Sequence, residues 1–385
     1  MIAEYELKNF KIHEKLNLHI GNLTVFTGMN GMGKSSVFQS MLLLRQSFFR
    51  NESSRNLNLR GNLIESCSSG ELICQSSVSD ELSVAITDDD GTKLNFCYSY
   101  VLENPNATML KGKGGNSSKS KCRTRSLFNE NFQYIAANRF GPKQKYDVDS
   151  YVVEDCRQIS DKTGQCELVA HFLHRFGNEK IPIEGLACLN SNVEYGVYKE
   201  KLDDDFSLKC QVRNWLRYIS PGINIEIKPN DKDLKLEYKY DVVDESLTKN
   251  IPAIQAGYGI TYCLPIIVAV LSAKPGSLLL IENPEAHIHP QGQAKLMELI
   301  TMAADKGVQI MIETHSDHIV NGALVAVAQK KLLWQKLSMY YFGREKSSHV
   351  SNVVKLSVLK SGKVKNPPEG FFDQIELDMR QILGF

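Results

Sequence analysis

The stretch GMNGMGKS (residues 28–35) constrains this chain most, because it fits the pattern GxxxxGK[ST]. An apolar stretch (residues 23–26) precedes it and predicts a short buried strand. The residues after it place apolar side chains at helical spacing: Val37, Met41, Leu44 and Phe48. A strand, a glycine loop and a helix in this order predict a loop that binds phosphate through its backbone N–H groups.

Each residue type in this loop has an expected role. The glycines let the backbone curl around an anion, and the start of the helix adds a partial positive charge. Lys34 is expected to bridge the β- and γ-phosphates of ATP, and the Ser35 hydroxyl to take one Mg²⁺ position. The candidate nucleotide-binding residues of the loop are Gly28, Asn30, Gly31, Gly33, Lys34, Ser35 and Ser36.

A second apolar strand, in LLLIENPEAHIHP (residues 278–290), ends in Glu282. In P-loop proteins such a strand carries an acid that holds Mg²⁺, a hard cation that prefers oxygen ligands. We therefore predict that Glu282 and Ser35 hold Mg²⁺ together.

The sequence leaves two alternatives for the general base. Asn283 follows Glu282, and an amide can orient water but cannot accept its proton. Either Glu285 reaches the site as the base, because Pro284 stiffens the turn, or hydrolysis is slow. The first alternative is the preferred one. The candidate catalytic residues are Glu282, Asn283, Glu285 and His315.

Two further segments carry candidate site residues. His315 ends an apolar strand in GVQIMIETHS, where an imidazole could bond the γ-phosphate and the attacking water. The turn AGYG (residues 256–259) opens an apolar helix, and free N–H groups at a helix start suit a phosphate. Since the chain has its own P-loop, Ala256, Gly257 and Gly259 are predicted to contact the nucleotide of another copy; the alternative is a tightly packed turn.

The bulk composition is that of an ordinary globular protein, with a formal net charge of +1 over 385 residues. The nine cysteines form no CxxC pairs, and the N-terminus lacks the apolar block of a signal peptide. The longest apolar run (residues 260–273) is shorter than the roughly 18 residues that span a bilayer. We expect a cytoplasmic protein with no membrane segment.

Strands that alternate with helices predict an α/β fold with a mixed sheet flanked by helices. Residues 61–105 predict a small antiparallel section. Residues 1–142 are expected to form the first part of the domain that contains the P-loop, called the head below. Residues 143–250 are expected to be an inserted lobe of helices and a hairpin, and residues 251–385 complete the head. The basic segment KGKGGNSSKSKCRTR (residues 111–125) predicts a mobile loop, either a solvated tip or a nucleic-acid contact.

These motifs together resemble the ABC-class ATPase heads of bacterial AAA-type proteins, a group that includes the overcoming-lysogenization-defect proteins and the SMC and RecF heads. The tail GFFDQ (residues 370–374) resembles one branch of that group. The resemblance identifies GMNGMGKS as Walker A, Glu282 as the Walker B acid, AGYG as a degenerate signature and His315 as the switch histidine. The family's usual base position holds Asn283 here.

The resemblance implies hydrolysis of ATP with Mg²⁺ in a head-to-tail homodimer or higher homo-oligomer. Each nucleotide would lie between one P-loop and the partner's signature. Anti-phage defence, acting through a separate effector protein, is the implied role. The alternative is a DNA-repair or chromosome-maintenance head that binds nucleic acid through residues 111–125. Arg139 is predicted either to approach phosphate or to form a structural ion pair, and neither Gln75 nor Gln133 is assigned as a Q-loop residue.

Overall fold

A computed structural model describes most of the chain: residues 1–51, 55–65, 67–76, 79–100, 104–188, 194–195, 198–199, 205–241, 248–345, 348–368, 370–372 and 374–383. Parts of the predicted insert and residue 373 of the predicted tail lie outside these ranges. The strands are β1 (Ile2–Phe10), β2 (His13–His19), β3 (Leu23–Gly28), β4 (Asn56–Asn58), β5 (Glu81–Asp88), β6 (Lys93–Ser99), β7 (Met109–Gly112), β8 (Phe132–Ile135), β9 (Glu194–Tyr195), β10 (Tyr198–Lys199), β11 (Ile223–Asn230), β12 (Asp233–Tyr240), β13 (Ile251–Pro252), β14 (Leu278–Glu282), β15 (Gln309–Glu313), β16 (Leu337–Gly343), β17 (Asn352–Val358) and β18 (Val364–Lys365). The helices are α1 (Lys34–Asn51), α2 (Ser69–Leu72), α3 (Lys119–Arg123), α4 (Val169–Phe176), α5 (Leu208–Ile219), α6 (Tyr258–Ser272), α7 (Pro290–Asp305), α8 (Asp317–Ala328) and α9 (Gln374–Leu383).

A seven-stranded sheet with the order β18-β17-β16-β3-β15-β14-β8 forms the centre of the fold. The strands from β16 to β8 pair in parallel, whereas β17 and β18 are antiparallel additions at one edge. The P-loop strand β3 therefore lies next to β15, and β14 lies one strand further away. The carboxyl ends of all three strands meet at the same edge of the sheet, where ligands of such sheets bind.

The central strands are apolar because both faces of the sheet are covered. Leu279 and Ile281 of β14 face a core shared with α6, whereas Leu278 and Leu280 face a second core shared with α1. Successive side chains of a strand point to opposite faces, so one apolar run supplies both cores.

The second core is closed by an antiparallel sheet with the order β2-β1-β5-β6-β7-β4. Strand β5 alternates buried and half-exposed residues, as expected for a sheet with one solvated face. The predicted α/β class, with a mixed sheet flanked by helices and a small antiparallel section, is confirmed.

The predicted insert contains α4, α5 and the antiparallel pair β11–β12 at the positions that the sequence pattern indicated. Its apolar side chains, such as Phe172 and Trp215, belong to the same core cluster as α6 and α7. This segment is thus packed onto the head in one continuous core, and the boundaries at residues 143 and 250 stay a prediction.

The basic segment at 111–125 is more ordered than its composition predicted. It contains the end of β7 and helix α3, and the side chain of Cys122 in α3 is fully buried. Arg125 pairs with Asp88 and Asp90, and Lys113 pairs with Glu81. A buried thiol and internal ion pairs anchor a segment that was expected to be a mobile loop.

Within the described residues, the helices are all too short or too polar to cross a lipid bilayer.

Candidate functional site

The loop between β3 and α1 requires glycine at two positions. Gly28 and Gly33 have φ values of 130° and 91°, which residues with a Cβ rarely adopt. A Cβ on Gly28 would lie 2.1 Å from the carbonyl oxygen of Phe342, and one on Gly33 would lie 2.6 Å from Nε2 of His13. That His13 nitrogen is also 2.9 Å from the Gly33 carbonyl oxygen, so the buried ring ties the loop to β2.

A cavity of about 410 Å³ opens at this loop. Most of the predicted loop residues line it, and Asn283 and His315 reach it from other elements. Gly28, Glu282 and Glu285 are not among its lining residues. The loop residues that line it are Asn30, Gly31, Gly33, Lys34, Ser35 and Ser36. A larger cavity of about 970 Å³, beside the π-helical turn Tyr151–Asp155, contains none of the predicted site residues.

Lys34 is 3% exposed, and its ammonium group is held by the loop itself. Nζ donates hydrogen bonds to the carbonyl oxygens of Gly28 at 2.9 Å and Met29 at 2.7 Å. Burial lowers the pKa of Lys34, although the nearby carboxylates of Glu313 and Glu285 oppose that shift. The ammonium group therefore lies at the N-terminus of α1, where the oxygens of a phosphate could replace the two carbonyl oxygens as its hydrogen-bond acceptors.

Glu282 lies at the end of β14, as predicted, but its carboxylate is engaged away from the P-loop. Oε1 accepts a hydrogen bond from the Tyr134 hydroxyl at 3.0 Å, and Oε2 accepts one from the Ala137 N–H at 3.1 Å. Burial raises the pKa of Glu282. In this structure the Ser35 hydroxyl bonds Glu313 and not Glu282, and the prediction that Glu282 and Ser35 hold Mg²⁺ together stays a prediction.

Asn283 takes a left-handed backbone conformation, with φ of 42°. Asparagine tolerates this region better than most residues. Its N–H donates to the Glu313 carbonyl oxygen at 2.8 Å, and its side-chain Oδ1 is buried without a hydrogen-bond partner. The amide therefore projects into the cavity from a fixed backbone.

Arg139 contacts backbone carbonyls in place of the structural ion pair that was one of its two predicted roles, and its approach to phosphate stays a prediction. Its guanidinium is buried and donates to three backbone carbonyl oxygens, those of Ala136, Glu282 and Asn283, at 2.7 to 2.9 Å. It contacts no carboxylate within salt-bridge distance among the described residues, and it does not line the cavity. Arg139 clamps the ends of β8 and β14 together.

Glu285, the preferred general base, is also engaged. Oε2 accepts a hydrogen bond from the Thr314 hydroxyl at 2.8 Å, and Oε1 accepts one from the His315 N–H at 2.9 Å. With both oxygens occupied and the cavity lined by other residues, Glu285 is better placed to hold the turn at His315 than to take a proton from water. These contacts disfavour Glu285 as the general base, and that role stays a prediction.

The structure adds Glu313, a residue that the sequence reasoning missed. Oε1 of Glu313 accepts a hydrogen bond from the Ser35 hydroxyl at 2.8 Å, and the side chain lines the cavity. Burial, together with the negative charge of Glu282, raises the pKa of Glu313 to about 7. The sequence signal was only an acid at the end of an apolar strand, in ETHS; that this strand lies beside the P-loop strand is known from the sheet order.

His315 lies two residues beyond Glu313 and is exposed at the cavity. Partial burial lowers its pKa, and the charge of Lys34 acts in the same direction. The ring is therefore favoured in its neutral form, which can donate one hydrogen bond and accept another.

The predicted signature turn lies apart from this cavity. Gly257 caps the start of α6 and is exposed, and Ala256 and Gly259 are partly buried beside it. Gly259 also packs against the chain, since an added Cβ would lie 2.4 Å from the His287 carbonyl oxygen. The turn therefore presents its outer residues to solvent rather than to the P-loop of its own chain.

Neither candidate glutamine lines the cavity. Gln133 is buried and bonds the backbone of Arg157 and Ile159, whereas Gln75 is exposed. Gln39 of α1 does line the cavity, and its Oε1 accepts a hydrogen bond from Lys11 at 2.5 Å.

Three family models match the chain. The model described as "AAA domain" matches residues 6–203, more than half of the sequence. The model described as "AAA domain, putative AbiEii toxin, Type IV TA system" matches residues 208–321, and the one described as "Protein of unknown function (DUF3696)" matches residues 335–382. No curated relative matches the sequence.

Two solved structures share the fold over nearly the whole chain. One is an Smc head bound to the C-winged helix domain of ScpA, with 15% identity, a TM-score of 0.56 and coverage of 93% of this chain and 98% of that chain. The other is an Smc head domain with an extended coiled coil, bound to the C-terminal domain of ScpA derived from Pyrococcus furiosus. It has 13% identity, a TM-score of 0.54 and coverage of 99% of both chains. At these identities the likeness shows the fold alone.

Proposed function

The chain belongs to the AAA-domain family of nucleotide-binding ATPases, and from that premise we propose that it binds ATP with Mg²⁺, hydrolyses it slowly and acts as a dimeric switch. The observation that carries the proposal is convergence: Lys34 and Ser35 of α1, Asn283 after β14 and His315 after β15 line one cavity at the carboxyl ends of parallel strands.

The residues of the cavity suit a triphosphate. Backbone N–H groups at the start of α1 can bind phosphate oxygens, and Lys34 can exchange its two carbonyl contacts for them. Bound Mg²⁺ would supply neutralisation of the developing phosphate charge. His315 can hold the outer phosphate or its water by a hydrogen bond. Slow turnover follows because Asn283 cannot accept a proton.

Replacement of Lys34 by alanine tests nucleotide binding. Loss of a charged donor to phosphate should weaken binding of a fluorescent ATP analogue by roughly 10- to 100-fold. Lys15→Ala, on the exposed face of β2, is the matched control and should bind as the native protein does. If Lys34→Ala retains native affinity while remaining folded, the P-loop assignment is wrong.

The exposed signature turn supports the dimer. A turn that begins a helix and faces away from its own P-loop can cover the phosphates of a second copy, and a head-to-tail pair would use both turns in this way. We include contact of Ala256, Gly257 and Gly259 with the partner's nucleotide in the proposal.

For the biological role we propose control of a separate effector protein in anti-phage defence. The match of residues 208–321 to a family whose description names a toxin–antitoxin system supports a defence setting. We expect the tagged chain to co-purify with a second protein only when ATP is present, and Lys34→Ala to abolish this association. Protection against phage infection that survives Lys34→Ala would contradict the proposal.

Nucleic-acid binding through residues 111–125 is less well supported, because Lys113 and Arg125 are already paired with carboxylates. Binding of labelled DNA at low salt that disappears when Lys119 and Lys121 become alanine would favour the DNA-binding alternative. Absence of binding at low salt would remove it.

A further inference from the structure

Glu313 ends β15 at the point where three strands of the central sheet meet the P-loop. Its register partners are Phe26 on β3 and Glu282 on β14, so it is the strand-end acid closest to the loop in the sheet order. The residue is 6% exposed, and its side chain lines the cavity beside Lys34 and Ser35. The topology thus puts a buried carboxylate where the sequence motif alone predicts none.

The two oxygens of this carboxylate have different partners. Oε1 accepts the hydrogen bond from the Ser35 hydroxyl at 2.8 Å, whereas Oε2 is buried and has no hydrogen-bond partner. Oδ1 of Asn283, another acceptor at the same cavity, is likewise buried without one. Unpartnered buried acceptors are costly, and such exceptions need an explanation.

Glu282 differs in the same comparison. Each of its oxygens already accepts a hydrogen bond, one from Tyr134 and one from Ala137, and its side chain does not line the cavity. A cation at Glu282 would share oxygens that already accept hydrogen bonds, whereas one at Glu313 would satisfy an oxygen that has no partner.

Resting on the proposed ATPase function, we propose that Glu313, and not Glu282, is the carboxylate that anchors Mg²⁺ beside Ser35. The donor set fits this ion, since a carboxylate, a hydroxyl and an amide oxygen are all hard oxygen ligands, and Mg²⁺ keeps several waters that the Asn283 oxygen can accept from. Glu282 acts as a positioning residue that links β14 to Tyr134 of β8 and to Ala137 just after it.

The test compares two isosteric variants, Glu313→Gln and Glu282→Gln, in the full chain. The probe is Mn²⁺ with a non-hydrolysable ATP analogue, and electron paramagnetic resonance measures the protein-bound fraction of the ion. Glu313→Gln should weaken Mn²⁺ binding at least tenfold and leave affinity for the metal-free analogue in EDTA within about threefold of native. Glu282→Gln should keep native Mn²⁺ affinity.

Ser35→Ala supplies an independent measurement. If Ser35 and Glu313 hold the same ion, Ser35→Ala should also weaken Mn²⁺ binding, and the double variant should bind Mn²⁺ no more tightly than Glu313→Gln alone. Native Mn²⁺ affinity in both single variants, or loss in Glu282→Gln with none in Glu313→Gln, would overturn the assignment. Thermal unfolding of each variant without nucleotide checks that it folds.

Failure of the proposed function gives a different result. Native protein that binds the analogue equally well with and without Mn²⁺ overturns the metal assignment alone. Native protein that binds no analogue, with Lys34→Ala indistinguishable from it, overturns the ATPase proposal and this inference with it.

Discussion

Glu285 shows how contacts decide the role of a single acid. Both of its oxygens accept hydrogen bonds from the turn after β15, one from a side chain and one from a backbone N–H. A carboxylate held in this way orients His315 and is not free to approach a water in the cavity. Glu285 is therefore treated as a positioning residue.

The positioning role predicts similar effects from both ends of the contact. Glu285→Gln and Thr314→Val should each lower ATP turnover by roughly tenfold or less, because loss of a general base typically costs 10²–10⁴. The double variant should be no slower than the slower single variant. Steady-state phosphate release measures all three.

Asn283→Glu complements that measurement, with Asn283→Gln as the control for side-chain size. A carboxylate at position 283 should raise turnover, since it adds a proton acceptor to the cavity.

One outcome would contradict the positioning role of Glu285. If turnover falls more than roughly a hundredfold in Glu285→Gln while Thr314→Val stays near native, Glu285 is the base.

His13 gives a prediction about pH. Burial lowers the pKa of this ring, so the folded chain favours its neutral form and the unfolded chain takes up the proton first. Its contribution to stability is therefore complete above the ordinary histidine pKa of about 6.5 and is lost as the pH falls below that value. Glutamine cannot titrate, so His13→Gln should lose less free energy of unfolding than the native protein between about pH 7 and pH 5.

Urea unfolding across this pH range provides the measurement. The matched control is His19→Gln, because the His19 side chain is 66% exposed. The native protein and His13→Gln should differ in how the unfolding midpoint changes with pH. If the two curves stay parallel, protonation of His13 does not explain the loss of stability.

The strand, glycine loop and helix around Lys34 and Ser35 could be predicted from the sequence because these residues are neighbours in the chain; their role in nucleotide binding stays a prediction. Glu313 was missed for the opposite reason. Its contact with Ser35 joins residues 278 positions apart and depends on β15 lying next to β3. Neither apolar periodicity nor motif spacing reports the order of strands in a sheet.

At the scale of elements, Arg139 fastens β8 to β14. Arg139→Met removes charged hydrogen bonds from three backbone carbonyls, one in a buried contact and two in partly buried ones, and should lower the free energy of unfolding by about 3 kcal/mol. Arg139→Lys keeps the charge but loses the planar fork, so it should recover only part of the loss. Chemical denaturation measures both variants; a native midpoint for Arg139→Met would show that the clamp contributes little.

The elements themselves were largely predictable. Runs such as LLLIE and QIMIE are buried on both faces, and the helical and hairpin patterns of the insert appear as α4, α5 and the pair β11–β12. The basic stretch at 111–125 misled the prediction because Cys122 and the partners of Arg125 make tertiary contacts that composition does not encode.

At the scale of the whole molecule, the proposed dimer depends on the exposed start of α6. A Cβ at Gly257 would have no atom within 4 Å, so substitutions there fit the single chain. Gly257→Glu should bind ATP at its own P-loop but lose ATP-dependent dimerisation, because its bulk and charge would oppose the partner's phosphates. Gly257→Ala is the matched control and should dimerise as the native protein does.

Light scattering with and without ATP distinguishes these outcomes. A full dimer signal from Gly257→Glu would place the interface elsewhere, and a native protein that stays monomeric at saturating ATP would remove the dimer proposal.

Helices α1 and α6 pack on opposite faces of the same central sheet, and the residues of β14 alternate between them. In the proposed dimer, the start of α1 on one face of the sheet would contact the subunit's own nucleotide. The start of α6 on the other face would contact the nucleotide of the partner. Close-packed layers resist compression and pass displacement on. The two ATP sites would then be coupled mechanically through the central sheet of each subunit. Binding of ATP at one site would make the sheet that supports the other site more rigid, and no hinge motion would be needed.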